Sequence, residues 1–123
     1  MLTLFYATNT CSLASHIALE DSGAAYEAKK VNFAENDQRK PEYLKINPKG
    51  RVPALVTDHG ILTETPAILA YIAQSFPKAN LAPIHDPFRF AEVQAFMSST
   101  FAQPFIPPML TACAAIAGPM IPP

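Results

Sequence analysis

The sequence predicts an α/β fold of order β-α-β-α-β-β-α: a four-stranded mixed sheet covered by helices, followed by the start of an all-helical segment. Three observations carry this. A β-prone apolar run, Leu2 to Tyr6, is followed within a few residues by an apolar stripe at helical spacing. Two short β-prone runs flank the turn-forming Asp58-His59-Gly60. Then Thr65-Pro66 opens a second helical pattern.

Taken in order, Leu2-Thr3-Leu4-Phe5-Tyr6 reads as a buried strand and Ala7 to Thr10 as a short polar loop. A helix is expected from about Ser12 to Ser22, with Leu13, Ala14, Ile17 and Ala18 as its apolar stripe. Gly23 suits its end, where the left-handed conformation is needed. Tyr26 to Phe33 is the second strand. Residues 34–46 are polar, with a helix-like patch around Pro41. Val52 to Thr57 is the third strand, Gly60 gives the hairpin its positive φ, and Ile61 to Thr63 is the fourth. Thr65 is the expected N-cap, with Pro66 at the first helical position, where a missing N–H costs nothing. Ile68, Leu69, Ile72, Ala73 and Phe76 mark the inner face of that helix, and Pro77 stops it. Residues 78–86 read as a linker. A new helix starts near Pro87, with Phe88, Ala91, Val93, Phe96 and Met97 as its apolar positions.

The totals bound the function. A chain of 123 residues fits one domain and leaves little for a second. Half the residues are apolar, so a packed core is available, and a net charge of −1 gives no electrostatic reason to expect nucleic acid or an anionic membrane as partner. No apolar run is long enough for a membrane span, and the N-terminus reads as a strand rather than a leader. Cys11 and Cys113 lie far apart in unlike segments, which favours a reduced, cytoplasmic chain. From Val93 to Pro123 there is no Asp, Glu, Lys, Arg or His, and the prolines crowd together. That stretch is a different kind of sequence from the rest.

Three segments carry chemistry. Cys11 stands at the entry to the first helix, where unpaired N–H groups and the helix dipole favour a thiolate, by roughly 0.3–1 kcal/mol at an exposed end. A buried, inert cysteine is the alternative at even odds. Ser12 is either a helix cap or a hydroxyl donor to a bound thiolate, with capping favoured. Ala14 stands three after Cys11, so there is no Cys-x-x-Cys, which argues against a dithiol mechanism. Next, Val52-Pro53 suits an exposed sheet edge; with a cis bond, the Val52 N–H and C=O would face outward to pair with an extended peptide, while a trans proline at a strand start is the commoner case. Last, in Glu64-Thr65-Pro66 the hydroxyl and the helix-start N–H groups suit a carboxylate and the Glu64 carboxylate suits an ammonium, matching an α-amino acid head; plain capping is the simpler account. His16, His59 and His85 show no metal spacing, and Tyr6 reads as core.

Thr10-Cys11-Ser12-Leu13-Ala14-Ser15-His16-Ile17-Ala18-Leu19 resembles the first helix entry of bacterial, beta-class-like glutathione transferases. Ile46-Asn47-Pro48-Lys49-Gly50-Arg51-Val52-Pro53-Ala54-Leu55 and Leu62-Thr63-Glu64-Thr65-Pro66-Ala67-Ile68-Leu69-Ala70-Tyr71-Ile72 resemble two further segments of that family, and the likeness runs over about residues 1–99. The resemblance implies a thioredoxin-like, glutathione-binding domain over 1–77, a linker over 78–86 and a shortened helical domain over 87–123. It implies that Val52 holds the cysteinyl backbone of glutathione beside a cis Pro53, that Glu64 and Thr65 bind the γ-glutamyl end, and that Arg51 touches the glycyl end; the family's lysine in the polar stretch after the second strand has no clear counterpart here, with Lys40 and Arg39 as candidates. Cys11 matches a cysteine able to form a mixed disulfide with glutathione, and Ser12 a hydroxyl that assists the thiolate. The activity implied is attack of the glutathione thiolate on a small hydrophobic electrophile, in a homodimer, without metal. The other readings are a non-catalytic glutathione-binding or interaction module, and glutaredoxin-like exchange through Cys11.

Beyond about Ser99 the likeness stops, and Pro104, Pro107 and Pro108 would break the helix expected there. Back-translated with GC-rich codons and moved by one base, Met109 to Pro122 can read as a stretch resembling the helical domain of some bacterial members. The sequence thus raises a shifted reading frame, against a genuine short variant. Either way Phe101, Phe105, Ile106, Met109 and Leu110 are expected to lie exposed.

Overall fold

The structure, a computed structural model, describes the backbone of residues 1–101 and the side chains of residues 1–99. The expectations for the tail, Cys113 and its exposed apolar residues included, lie outside the described residues.

Four strands form one sheet: β1 (Leu2–Tyr6), β2 (Tyr26–Lys30), β3 (Ala54–Thr57) and β4 (Gly60–Thr63), in the order β2-β1-β3-β4. β1 runs parallel to β2, while β1 with β3 and β3 with β4 are antiparallel. Helices α1 (Ser12–Ser22), α2 (Pro41–Leu44), α3 (Thr65–Ser75) and α4 (Pro87–Phe101) complete the fold, with single 3₁₀ turns at Phe33–Glu35, Asp37–Arg39 and Pro77–Ala79. This is the expected β-α-β-α-β-β-α order.

Alternation along the strands divides the core in two. Leu4 and Leu55 are fully buried on the face shared with Ala14, Leu19, Ile68, Leu69, Ile72, Val93 and Met97 from α1, α3 and α4. Phe5 and Ala54, one residue along, point to the other face, where they meet Val31, Tyr43, Ile46 and Val52. Each large aliphatic side chain buried in this way contributes roughly 1.5–3 kcal/mol. α1 ends as expected, with Gly23 at φ 75° and its N–H donated to the Glu20 carbonyl.

Five local expectations need correction. The second strand stops at Lys30 rather than Phe33, because the Asn32 side chain accepts the Ala34 N–H at 3.0 Å and turns the chain into a 3₁₀ turn. The third strand begins at Ala54, so Val52 lies ahead of the ladder. In α1, Leu13 is 49% exposed, and the buried face runs through Ser12, Ala14, Ser15, Ala18 and Leu19. The cap position of α3 is Glu64, at φ 74°, and Thr65 is the first helical residue. In α4 only Val93 and Met97 of the predicted set are buried; Phe88, Ala91 and Phe96 are exposed, so the inner stripe is narrower than its composition suggests.

Candidate functional site

The β1–α1 turn sets Cys11. Ser12 is fully buried, and its Oγ accepts the Ala7 N–H at 3.1 Å and lies 3.0 Å from the Ala7 carbonyl. Thr10 Oγ1 donates to the same carbonyl at 2.9 Å, accepts the Ser12 N–H at 3.2 Å, and stands 2.6 Å from Ser12 Oγ. Two hydroxyls therefore close the turn on its own backbone. The expected capping role of Ser12 is corrected: Cys11 occupies the N-cap position, and the Ser12 hydroxyl ties back to Ala7. That hydroxyl is taken up within the turn rather than presented outward. Cys11 is half-buried and forms no disulfide among the described residues.

The segment ahead of β3 is held from beneath. Tyr43 and Asn47, both buried, donate to one acceptor, the Arg51 carbonyl: Tyr43 through its phenol, Asn47 through Nδ2 at 2.8 Å. Asn47 Oδ1 accepts the Lys49 N–H at 3.1 Å, the side-chain-to-backbone closure that suits Asn to turns. Gly50 lies between them at φ 64°, where a Cβ would stand 2.9 Å from the Gln38 carbonyl oxygen; only glycine fits that close approach. The Val52-Pro53 bond is cis. Val52 has no main-chain hydrogen-bond partner among the described residues. Burial pushes the Tyr43 phenol up to about 12, so it remains a donor at neutral pH.

The β4–α3 junction completes the site. Glu64 is exposed, and its carboxylate meets the Lys49 ammonium at 3.4 Å. Thr65 is buried, with its Oγ1 donating to Cys11 Sγ at 3.6 Å. The β3–β4 ladder ends where Ala54 pairs with Thr63, so Val52, two residues before, and Thr65, two residues after, leave the same end of the sheet. Cys11, Val52 and Thr65 therefore converge at one end of the sheet, with Arg51 and Glu64 exposed on its rim. The helix-start N–H groups of α3, which have no intrahelical partners, open at the same place.

Of the other candidates, Lys40 is engaged by Asp37 at 2.7 Å; that hydrogen bond, helped by the Asn32 N–H, holds the Asp37 carboxyl below its usual range. Arg39 is exposed beside Gln38, whose carbonyl abuts Gly50. His16 stacks between Tyr6 at 5.0 Å and Tyr26 at 5.8 Å, and no cluster of potential metal ligands occurs among the described residues. Sequence reasoning assigned no role to Thr10, Tyr43, Asn47 or Lys49. An Asn two residues ahead of a backbone turn could have pointed to Asn47; nothing local marks Tyr43.

Such a sheet, with a cysteine at the first helix entry and a cis proline just ahead of the third strand, defines the thioredoxin-like class. Residues 1–74 match the family model for the glutathione S-transferase N-terminal domain. The chain belongs to the glutathione S-transferase family through this domain. It is 40% identical over 96 residues to a glutathione S-transferase, GstA, of Escherichia coli O157:H7, a match covering 76% of this chain and 48% of that one. It is 39% identical over 89 residues to a maleylacetoacetate isomerase of Pseudomonas aeruginosa, covering 70% and 42%. Among solved structures, a glutathione transferase homologue from Sulfitobacter with bound glutathione superposes with a TM-score of 0.74 at 36% identity, over 98% of this chain and 65% of that one. A beta-class glutathione S-transferase of Sphingomonas chungbukensis gives 0.74 at 38% identity, over 93% and 63%. The chain thus spans about half the length, or less, of these two curated relatives.

Proposed function

We propose that this chain binds glutathione at the Cys11–Val52–Thr65 end of its sheet and serves glutathione transfer to electrophiles. The carrying observation is the main chain of Val52, without a partner among the described residues, at the end of the sheet where the Thr65 hydroxyl lies 3.6 Å from Cys11 Sγ. An extended peptide would pair with Val52, its carboxylate end would meet Thr65 and the α3 N-terminus, its ammonium would meet Glu64, and its glycyl carboxylate would meet Arg51. The peptide's thiol would then lie at the entry to α1, where the helix dipole favours the thiolate. In the transfer step the glutathione sulfur forms a bond to an electrophilic carbon, and the leaving group departs with the displaced electron pair. The electrophile and the homodimer are carried over from the family and belong to this proposal.

A second reading rests on the half-buried thiol itself. Cys11 as thiolate would attack one sulfur of a glutathione mixed disulfide, and the other sulfur would leave as a thiolate. Calorimetric titration of the 123-residue chain with glutathione tests binding, and conjugation of a generic aromatic electrophile tests transfer. We expect Cys11→Ala to abolish disulfide exchange while conjugation persists. If Cys11→Ala alters neither activity, Cys11 has no catalytic role.

A further inference from the structure

The Arg51 carbonyl is held by two side-chain donors beside the site. Tyr43 and Asn47 both donate to it, and both are buried: Tyr43 is 5% exposed and Asn47 2%. Neither donor is free to swing. The Tyr43 ring is set edge-on against Phe5, 5.6 Å between centroids, within the lower core. Asn47 is fixed at both ends, through Nδ2 to Arg51 and Oδ1 to Lys49, and its own N–H donates to the Tyr43 carbonyl at 2.9 Å.

A planar peptide unit converts this into a direction. The Arg51 C=O and the Val52 N–H belong to one trans peptide, in which the two bonds point opposite ways. Holding the carbonyl against Tyr43 and Asn47 therefore aims the Val52 N–H away from those buried side chains. We propose that Tyr43 and Asn47 are positioning residues for ligand binding, acting through the Arg51 carbonyl to present the Val52 N–H to the peptide backbone of glutathione. This deepens the functional reading above and rests on it. The two side chains never touch the ligand; they remove the freedom of one peptide plane, so less ordering is left to occur on binding.

The test uses the full chain and three variants: Tyr43→Phe, Asn47→Ala and, as a control, Leu19→Val, a fully buried core residue on the opposite face of the sheet. Glutathione affinity is measured by calorimetry at a temperature where each variant is folded. Tyr43→Phe and Asn47→Ala should each weaken binding several-fold and up to about tenfold, the range expected for one hydrogen bond. Leu19→Val should lower the melting temperature and leave affinity unchanged, which separates positioning from stability. Amide exchange supplies a ligand-free readout. The Val52 N–H should exchange rapidly in the free parent chain and become protected at saturating glutathione. Parent-like affinity in both clamp variants, or a slowly exchanging Val52 amide in the free chain, overturns the inference. Failure of the parent chain to bind glutathione overturns instead the functional reading on which it stands.

Discussion

Two loops meet at the candidate site, and they are built in opposite ways. The β1–α1 turn is held by its own residues: the Thr10 and Ser12 hydroxyls close on Ala7, at most five residues away. The loop before β3 is held from outside itself, with Tyr43 rising from α2 and the core to reach Arg51. The first loop satisfies its backbone and leaves a side chain, Cys11, at the surface. The second buries the side chain of Asn47 and leaves a backbone, Val52, without a partner among the described residues. One loop thus presents a thiol and the other a peptide group unpartnered among the described residues. Local hydrogen bonds suffice to place a thiol, whereas aiming a bare peptide group requires a grip from the core.

The largest test of this contrast falls on the second loop. Gly50→Ala would force a Cβ to within 2.9 Å of a backbone oxygen at φ 64°, and should cost at least about 2 kcal/mol, read as a lower midpoint in urea unfolding. On the first loop, Ser12→Ala leaves the buried Ala7 N–H without its acceptor and should cost about 1–3 kcal/mol. Ser15, equally buried three residues on, has no hydrogen-bond partner, so Ser15→Ala should be neutral or stabilise by up to about 1 kcal/mol. If the two alanines behave alike, the Ser12 hydroxyl is not what closes the turn.

High pH should loosen the second loop before the first. Burial raises Tyr43 to about 12; burial, then Glu20, raise Tyr26 to about 12, from an ordinary value of 10.0. Between pH 10 and 12 the unfolded chain therefore releases these protons while the folded chain keeps them. Stability is full below pH 10 and falls as pH rises toward 12, with a Tyr43 share of about 1–3 kcal/mol, checked by thermal melts against phenolate absorbance. The smallest effect is expected at Lys49→Ala. The Lys49–Glu64 pair is exposed on both sides, so its loss should change stability by roughly 0–1 kcal/mol.

Much of this was legible in the chain. The order of elements along the chain followed from alternation and turn chemistry, and Cys11, Val52, Glu64 and Thr65 were marked by their places at strand and helix ends. The α3 stripe of Ile68, Leu69, Ile72 and Ala73 was read correctly, because its 3.6-residue period is unambiguous. The α4 stripe was read too broadly. Phe88, 74% exposed, is apolar in sequence yet has no neighbour to cover it among the described residues. The capping of α3 was misplaced by one residue. A positive φ at a glutamate, as at Glu64, has no local signature, since the side chain disfavours it and only the surrounding fold imposes it.

What the sequence determined by itself was periodicity and punctuation: which segments alternate by two or by 3.6, and where glycine, proline and hydroxyl residues end them. These are properties of neighbours along the chain, so they can be read without the fold. Only the tertiary structure decided that the Thr65 hydroxyl meets Cys11, 54 residues away, and that Tyr43 and Asn47 share the Arg51 carbonyl. Those contacts depend on how the sheet register and the helix packing bring distant residues together, and no local propensity encodes a distance in space.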